Sequence, residues 1–271
     1  MIRATFQAPD GTPILLRACQ GFAELDACVD LQIETWGYSD GDVIPRRLFT
    51  VAQRIGGQVF GAFDPESRLI GFAMAIPGIK PSKEPGQPPM AYLHSHMLAV
   101  TPGYRNAGIG RRLKLCQRED ALSRGISLME WTFDPLEIKN SFLNIHRLGV
   151  IVRSYTPDFY GVSSSRLQGG LPTDRLHAEW WMESGRVQAL LHGAPYSPPQ
   201  AQETIVVPKA LTEWKASVTG VSRARAVQLE IRTRFLDAFS RCLAVTGFHL
   251  DPEGNGVFEL APLSQPEPGT I

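Results

Sequence analysis

His94-Ser-His-Met-Leu-Ala-Val-Thr-Pro-Gly-Tyr-Arg-Asn-Ala-Gly-Ile-Gly-Arg-Arg-Leu-Lys-Leu115 is the stretch from which the rest of this chain is best read. It predicts a strand ending at Val100, a turn through Pro102 and Gly103, and a helix entered through Arg105-Asn-Ala-Gly108-Ile-Gly110. That helix continues to about Arg124, with Gly125 beyond its end. Glycines at a helix start let the backbone approach a bulky anion. The unpaired first-turn N–H groups and the positive end of the helix dipole then hold it. The stretch therefore predicts a phosphate-binding turn and a phosphorylated ligand.

The spacing narrows the choice. A dinucleotide loop needs G-x-G-x-x-G, but Gly108-x-Gly110 is followed three positions later by Leu113. A Walker loop needs Lys and Ser/Thr after its last glycine. Gly103 and Gly108 have the right separation, yet Ile109 and Gly110 stand in those places. What remains is Arg105-x-x-Gly108-x-Gly110 behind a strand ending Leu98-x-Val100-x-Pro102. This resembles the acyl-CoA pyrophosphate loop of the GNAT (GCN5-related N-acetyltransferase) superfamily, whose pattern is Q/R-x-x-G-x-G/A. The plain alternative is a glycine-rich connection between strand and helix.

Outward from this loop, apolar periodicity predicts strands over 13–18, 58–63, 69–76, 91–100, 126–133, 150–155 and 175–182. Helices are expected over 22–36, 45–55 and 138–148, and 77–89 reads as an exposed loop. This order is also that of the GNAT fold. It implies an α/β (α+β) architecture, a mixed, mostly antiparallel sheet flanked by helices. Residues 1–184 are expected to form the acyltransferase domain, and 185–203, with Pro195-Tyr-Ser-Pro-Pro, a linker. Residues 204–271 would form a C-terminal β-α-β-β extension, whose helix 222–245 carries Val227, Ile231, Phe235, Ala238 and Cys242 on one face. That stripe is too wide to leave in water, so it should pack on the transferase unit or on a second copy in a homodimer.

The resemblance covers about residues 13–184. Trp131-Thr-Phe-Asp-Pro-Leu136 and Asn140–Gly149 look like a poorly characterised branch of the family. It implies that Leu98, Ala99 and Val100 offer backbone groups to the pantetheine arm. Arg105 fills the Q/R position, and Asn106, Ala107, Gly108, Ile109, Gly110 and Arg111 wrap the pyrophosphate. Asn140 lies on the helix that contacts the pantetheine end. Many relatives carry a tyrosine four residues before the glycine closing this helix, as general acid for the departing thiolate. Ile145 holds that place here, with Tyr155 and Tyr160 the nearest substitutes.

Acyl transfer to an amine needs the amine neutral, since an ammonium of pKa ~10.4 has no lone pair. A general base must take a proton. His94 and His96, two apart on a strand, direct both rings to one face and suit proton transfer near neutral pH. They read equally as a structural pair, and less well as metal ligands, having no third partner nearby. Glu130 in Leu128-Met-Glu-Trp is either a second candidate base or the partner of an arginine such as Arg112 or Arg153. His96 and Glu130 are the expected bases and Tyr160 the expected acid. Asp134 before Pro135 reads as a turn former. Trp36, Tyr38 and the 77–89 loop suit either an acceptor pocket or surface packing. Trp180-Trp181 sends one ring to each face of its strand.

The totals set the outer bounds. Lys+Arg and Asp+Glu balance at 27 each over 271 residues, which removes the general electrostatic case for nucleic acid or an anionic membrane. No run approaches the ~18 apolar residues of a membrane helix, and the N-terminal Met-Ile-Arg-Ala-Thr lacks a signal-peptide core. Cys19, Cys28, Cys116 and Cys242 form no C-x-x-C, so reduced thiols in a cytoplasmic enzyme are expected. The resulting expectation is a CoA-dependent N-acyltransferase, most simply an N-acetyltransferase using acetyl-CoA and no metal. Its acceptor would be an unidentified small-molecule amine. A larger donor such as succinyl-CoA, or a non-catalytic acyl-CoA-binding module, are the rivals.

Overall fold

The computed structural model describes residues 3–39, 41–82, 86–165 and 167–263. Within them the chain forms a mixed α+β fold of eleven strands and seven α-helices, its sheet mostly antiparallel. It divides into two compact units, Met1–Glu130 and Trp131–Ile271.

The first unit is built on strands β1 (Arg3–Gln7), β2 (Pro13–Ala18), β3 (Gln58–Phe63), β4 (Leu69–Lys80) and β5 (Met90–Val100), each antiparallel to the next. β6 (Leu128–Phe133), which crosses into the second unit, joins β5 in parallel. The 77–89 loop is shorter than the sequence suggested. Pro77–Lys80 continue β4 in register with Met90–Leu93, and residues 83–85 lie outside the described ones. β1 has no counterpart in the sequence reading.

Helices α1 (Gly21–Trp36) and α2 (Arg46–Arg54) bury Leu25, Cys28, Leu31, Phe49 and Ala52 against Phe63, Phe72, Met74 and Met97 of the sheet. α3 (Ile109–Ser123) covers the other face, setting Ile109, Leu113 and Cys116 against Ile14, Leu16, Phe60 and Ala73. The sulfurs of Cys19 and Cys28, unremarkable in sequence, come within 3.9 Å in the first of these cores.

In the second unit, the expected helix 138–148 is a single α-turn, α4 (Ile138–Ser141), running into a π-helical stretch Phe142–Arg147. β7 (Ile151–Thr156) and β8 (Arg175–Trp181) pair antiparallel. Trp180 is fully buried, edge-on to Trp131 at 6.0 Å, while Trp181 is half-buried.

Part of the stretch read as a linker is helical. α5 (Gly185–His192) is capped by Ser184 and ends at Gly193 in the left-handed region. Beyond it come β9 (Glu203–Val207), α6 (Leu211–Ala216), α7 (Val221–Ser240), β10 (Leu243–Leu250) and β11 (Gly256–Pro262). This is one short helix more than β-α-β-β. α7 stops at Ser240, leaving Cys242 exposed and past its end. Its buried stripe is Ala224, Gln228, Ile231, Phe235 and Ala238.

The C-terminal segment packs on the rest of its unit. Val245 of β10 pairs with Val152 of β7, Phe235 stacks on Tyr155 at 5.7 Å, and Arg232 forks onto the fully buried Asp174.

Candidate functional site

β5 decides the geometry of the first unit. Met74 faces Met97 across the ladder and Ala75 faces Ser95, so His96 is an extra residue, a β-bulge. The bulge switches the faces of the strand. Ser95 hydrogen-bonds Gln117 (2.9 Å) and receives Lys114 Nζ (2.7 Å) on the α3 side, whereas Met97 packs on the α1/α2 side. The His94 and His96 rings lie near each other, centroids 6.1 Å apart. His96 is largely buried, and that desolvation lowers its pKa below the usual imidazole value. It is thus neutral at physiological pH, with a lone pair to accept a proton.

Parallel pairing of β5 with β6 joins Leu93 to Met129 and His94 to Glu130. Glu130 therefore stands beside His94 on one face of the sheet. The partner of Glu130 is Lys80 at the end of β4, rather than Arg112 or Arg153. Arg153 is taken by Glu179 in the second unit, and Arg112 lies 4.1 Å over the Phe6 ring. The Lys80 ammonium also sits 5.4 Å over the Tyr92 ring. Gly78 makes room for that ring, since a β-carbon there would stand 2.4 Å from it. Lys80 and Tyr92 were not singled out from the sequence, because only the strand register brings them to Glu130.

Beyond its pairs with β6 at Leu93 and His94, β5 runs on to Val100. The chain then turns tightly. Thr101 N–H donates to Ile70 O (2.9 Å), and its hydroxyl meets Glu34 at 3.0 Å. Arg105 Nε closes the loop on Val100 O (3.2 Å).

Asn106 and Gly108 both adopt left-handed backbone (φ 65° and 79°), and Gly108 is the N-cap of α3 without any side-chain cap. The N–H groups of Ile109 and Gly110 thus have no intrahelical acceptor. A β-carbon on Gly108 would meet nothing within 4 Å, so the space over the helix start is open and of a kind an anion fills. Arg105, Arg111 and Arg112 add positive charge, and the first turn of α3 has no acidic residue. The residues present fit a pyrophosphate.

In the second unit, Asn140 ends an exposed part of α4 and accepts a hydrogen bond from Asn144 Nδ2 (3.4 Å). Ile145 is fully buried. Tyr155 is fixed by Asp174 and the Arg232 beside it, and burial raises its phenol far above the usual value. It is a structural group. Tyr160 is exposed, its hydroxyl 2.9 Å from Thr132 Oγ1 and its ring 5.3 Å from the Arg175 guanidinium. Asp134 makes the expected turn, accepting the Leu136 N–H at 2.8 Å, and also neighbours Lys215. Trp36 and Tyr38 stack at 5.4 Å beside the α1/α2 core. Among the described residues, no group of three or more His, Cys, Asp or Glu could hold a metal ion.

No protein-family model matches the sequence, and the curated proteins give no match. The solved structures do. Arabidopsis thaliana NAA60 in complex with acetyl-CoA is 14% identical, the alignment covering 63% of this chain and 99% of that one, with a TM-score of 0.52. Salmonella typhimurium yncA with its cofactor acetyl-CoA is 16% identical over 68% and 98% (TM-score 0.46). Chaetomium thermophilum Naa20 with a bisubstrate analogue is 15% identical over 60% and 84% (TM-score 0.45). The chain thus has the fold of the GNAT N-acetyltransferases at low identity.

Proposed function

We propose that this chain is a CoA-dependent N-acyltransferase, most simply an N-acetyltransferase, moving an acyl group from acyl-CoA to the amine of a small molecule by direct attack. One observation carries the reading: the bulged strand β5 turning into an uncapped helix start whose N-cap glycine faces open space. The solved structures of this fold with bound acetyl-CoA support the choice of donor.

In this reading Leu98, Ala99 and Val100 line the pantetheine arm, and Arg105 to Arg111 hold the pyrophosphate. Asn140 serves the pantetheine end. The bound thioester supplies an electrophilic carbonyl. His96, neutral through burial, accepts the proton of the incoming amine directly or through water, with Glu130 the second candidate. Backbone N–H groups near Leu98 stabilise the charge developing on the carbonyl oxygen. Tyr160 returns a proton to the leaving thiolate.

The buried Ile145, where many relatives place that acid, favours as second reading a module that binds acyl-CoA without turning it over. Release of free CoA on adding pooled amines separates the two readings, and competition between acetyl-CoA and succinyl-CoA identifies the donor. Binding of neither thioester would overturn both.

A further inference from the structure

A cavity of ≈ 270 Å³ opens in the second unit between the end of β8, the start of α5 and the 196–199 segment. Its walls combine Trp181, Tyr196, Pro199 and Leu263 with two charged residues, Glu179 and Arg186. The two charges are not equivalent.

Glu179 is neutralised locally. Arg153 Nε approaches it at 3.1 Å, and the Trp181 indole N–H donates to it at 3.2 Å. Arg186 donates only to neutral acceptors among the described residues: Gly149 O at 3.1 Å and Ile145 O at 3.2 Å, with the Tyr196 hydroxyl beside it. These carbonyls close the C-terminal end of the 142–147 stretch, so part of the guanidinium's role is to cap it. Capping satisfies hydrogen bonds, and the Glu259 carboxylate, which attracts the guanidinium electrostatically, is paired with His249 instead, so Arg186 has no ion pair among the described residues. A largely buried guanidinium is costly without one, and burial indeed weakens its hold on the proton. Arginine is suited to meet a carboxylate with paired N–H donors. The indole, phenol and proline rings around it offer apolar surface for the body of such a ligand.

We infer that this cavity is a binding site for a small organic carboxylate with an apolar or aromatic body, its carboxylate on Arg186 and its body against Trp181 and Tyr196. The inference is independent of the acyltransferase reading.

Calorimetric titration of the full chain with benzoate, benzamide and benzylamine tests it. Benzoate should bind saturably and at least about tenfold more tightly than its neutral or cationic counterparts. Arg186→Gln should remove most of that affinity. Because this change also removes a helix cap, Trp181→Ala is the second variant, since it leaves every Arg186 bond in place. It too should weaken benzoate at least about tenfold, with CoA affinity and circular dichroism unchanged. No benzoate binding, equal binding of benzamide or benzylamine, or undiminished binding in folded variants would overturn the assignment.

Discussion

A β-carbon at Gly108 would meet nothing within 4 Å among the described residues, yet it would force an L side chain into left-handed backbone at a cost of about 1–2 kcal/mol. Gly108→Val should therefore fold with modestly lower stability while losing CoA affinity, because the side chain occupies the anion's place. Calorimetry on the folded variant reads this directly, and unchanged affinity would remove the pyrophosphate assignment. His96→Ala should slow turnover by about 10²–10⁴ with little change in CoA affinity. In the wild type, the acidic limb of the rate profile should lie below the ordinary histidine value of 6.5. The same shift bears on stability. Folded His96 binds its proton less readily than the unfolded ring, so its contribution is complete above 6.5 and lost as pH falls through the lowered value. Chemical denaturation across that window should show stability falling with pH, less steeply in His96→Gln.

At the scale of elements, α7 is fastened by one buried carboxylate. Asp174 accepts both Arg232 nitrogens at 2.8 and 2.9 Å, together with the Asp158 N–H and the Tyr155 hydroxyl. Asp174→Asn leaves the guanidinium without a counter-charge and should cost about 3 kcal/mol, measurable as a lower urea midpoint. Ending the chain after Arg186 removes α7 and the strands beyond it. Phe235 would no longer cover Tyr155, and β7 would lose its β10 neighbour. An exposed strand edge and apolar face should drive aggregation, visible by light scattering. The spacing of Ile231, Phe235 and Ala238 made α7 legible in advance, since period 3.6 is a local property. The π-helical Phe142–Arg147 was not, because its apolar residues fit an ordinary helix equally well. The extension of β4 through Pro77–Lys80 is likewise decided by its pairing with β5.

For the whole molecule, equal numbers of acidic and basic residues leave no net charge near neutrality, so colloidal repulsion is least there. Solubility in polyethylene glycol should pass through a minimum near pH 7 and rise on either side. No helix among the described residues is long and apolar enough to cross a membrane. The sequence by itself determined the glycine turn from β5 into α3, the succession of most strands and helices, and the Ile231, Phe235 and Ala238 part of the α7 stripe. Each depends on residues within a few positions of one another, where backbone sterics and side-chain period act directly. Tertiary structure alone decided which charges meet. Lys80 reaches Glu130 across 50 positions, and Asp174 meets Arg232 across 58. It also placed the bulge at His96, fixed the buried Tyr155 on Asp174, and left Arg186 lining a cavity without an ion-pair partner among the described residues. Register and packing settle these matters, because the energy of a buried charge depends on what surrounds it in space and not on its neighbours in the chain.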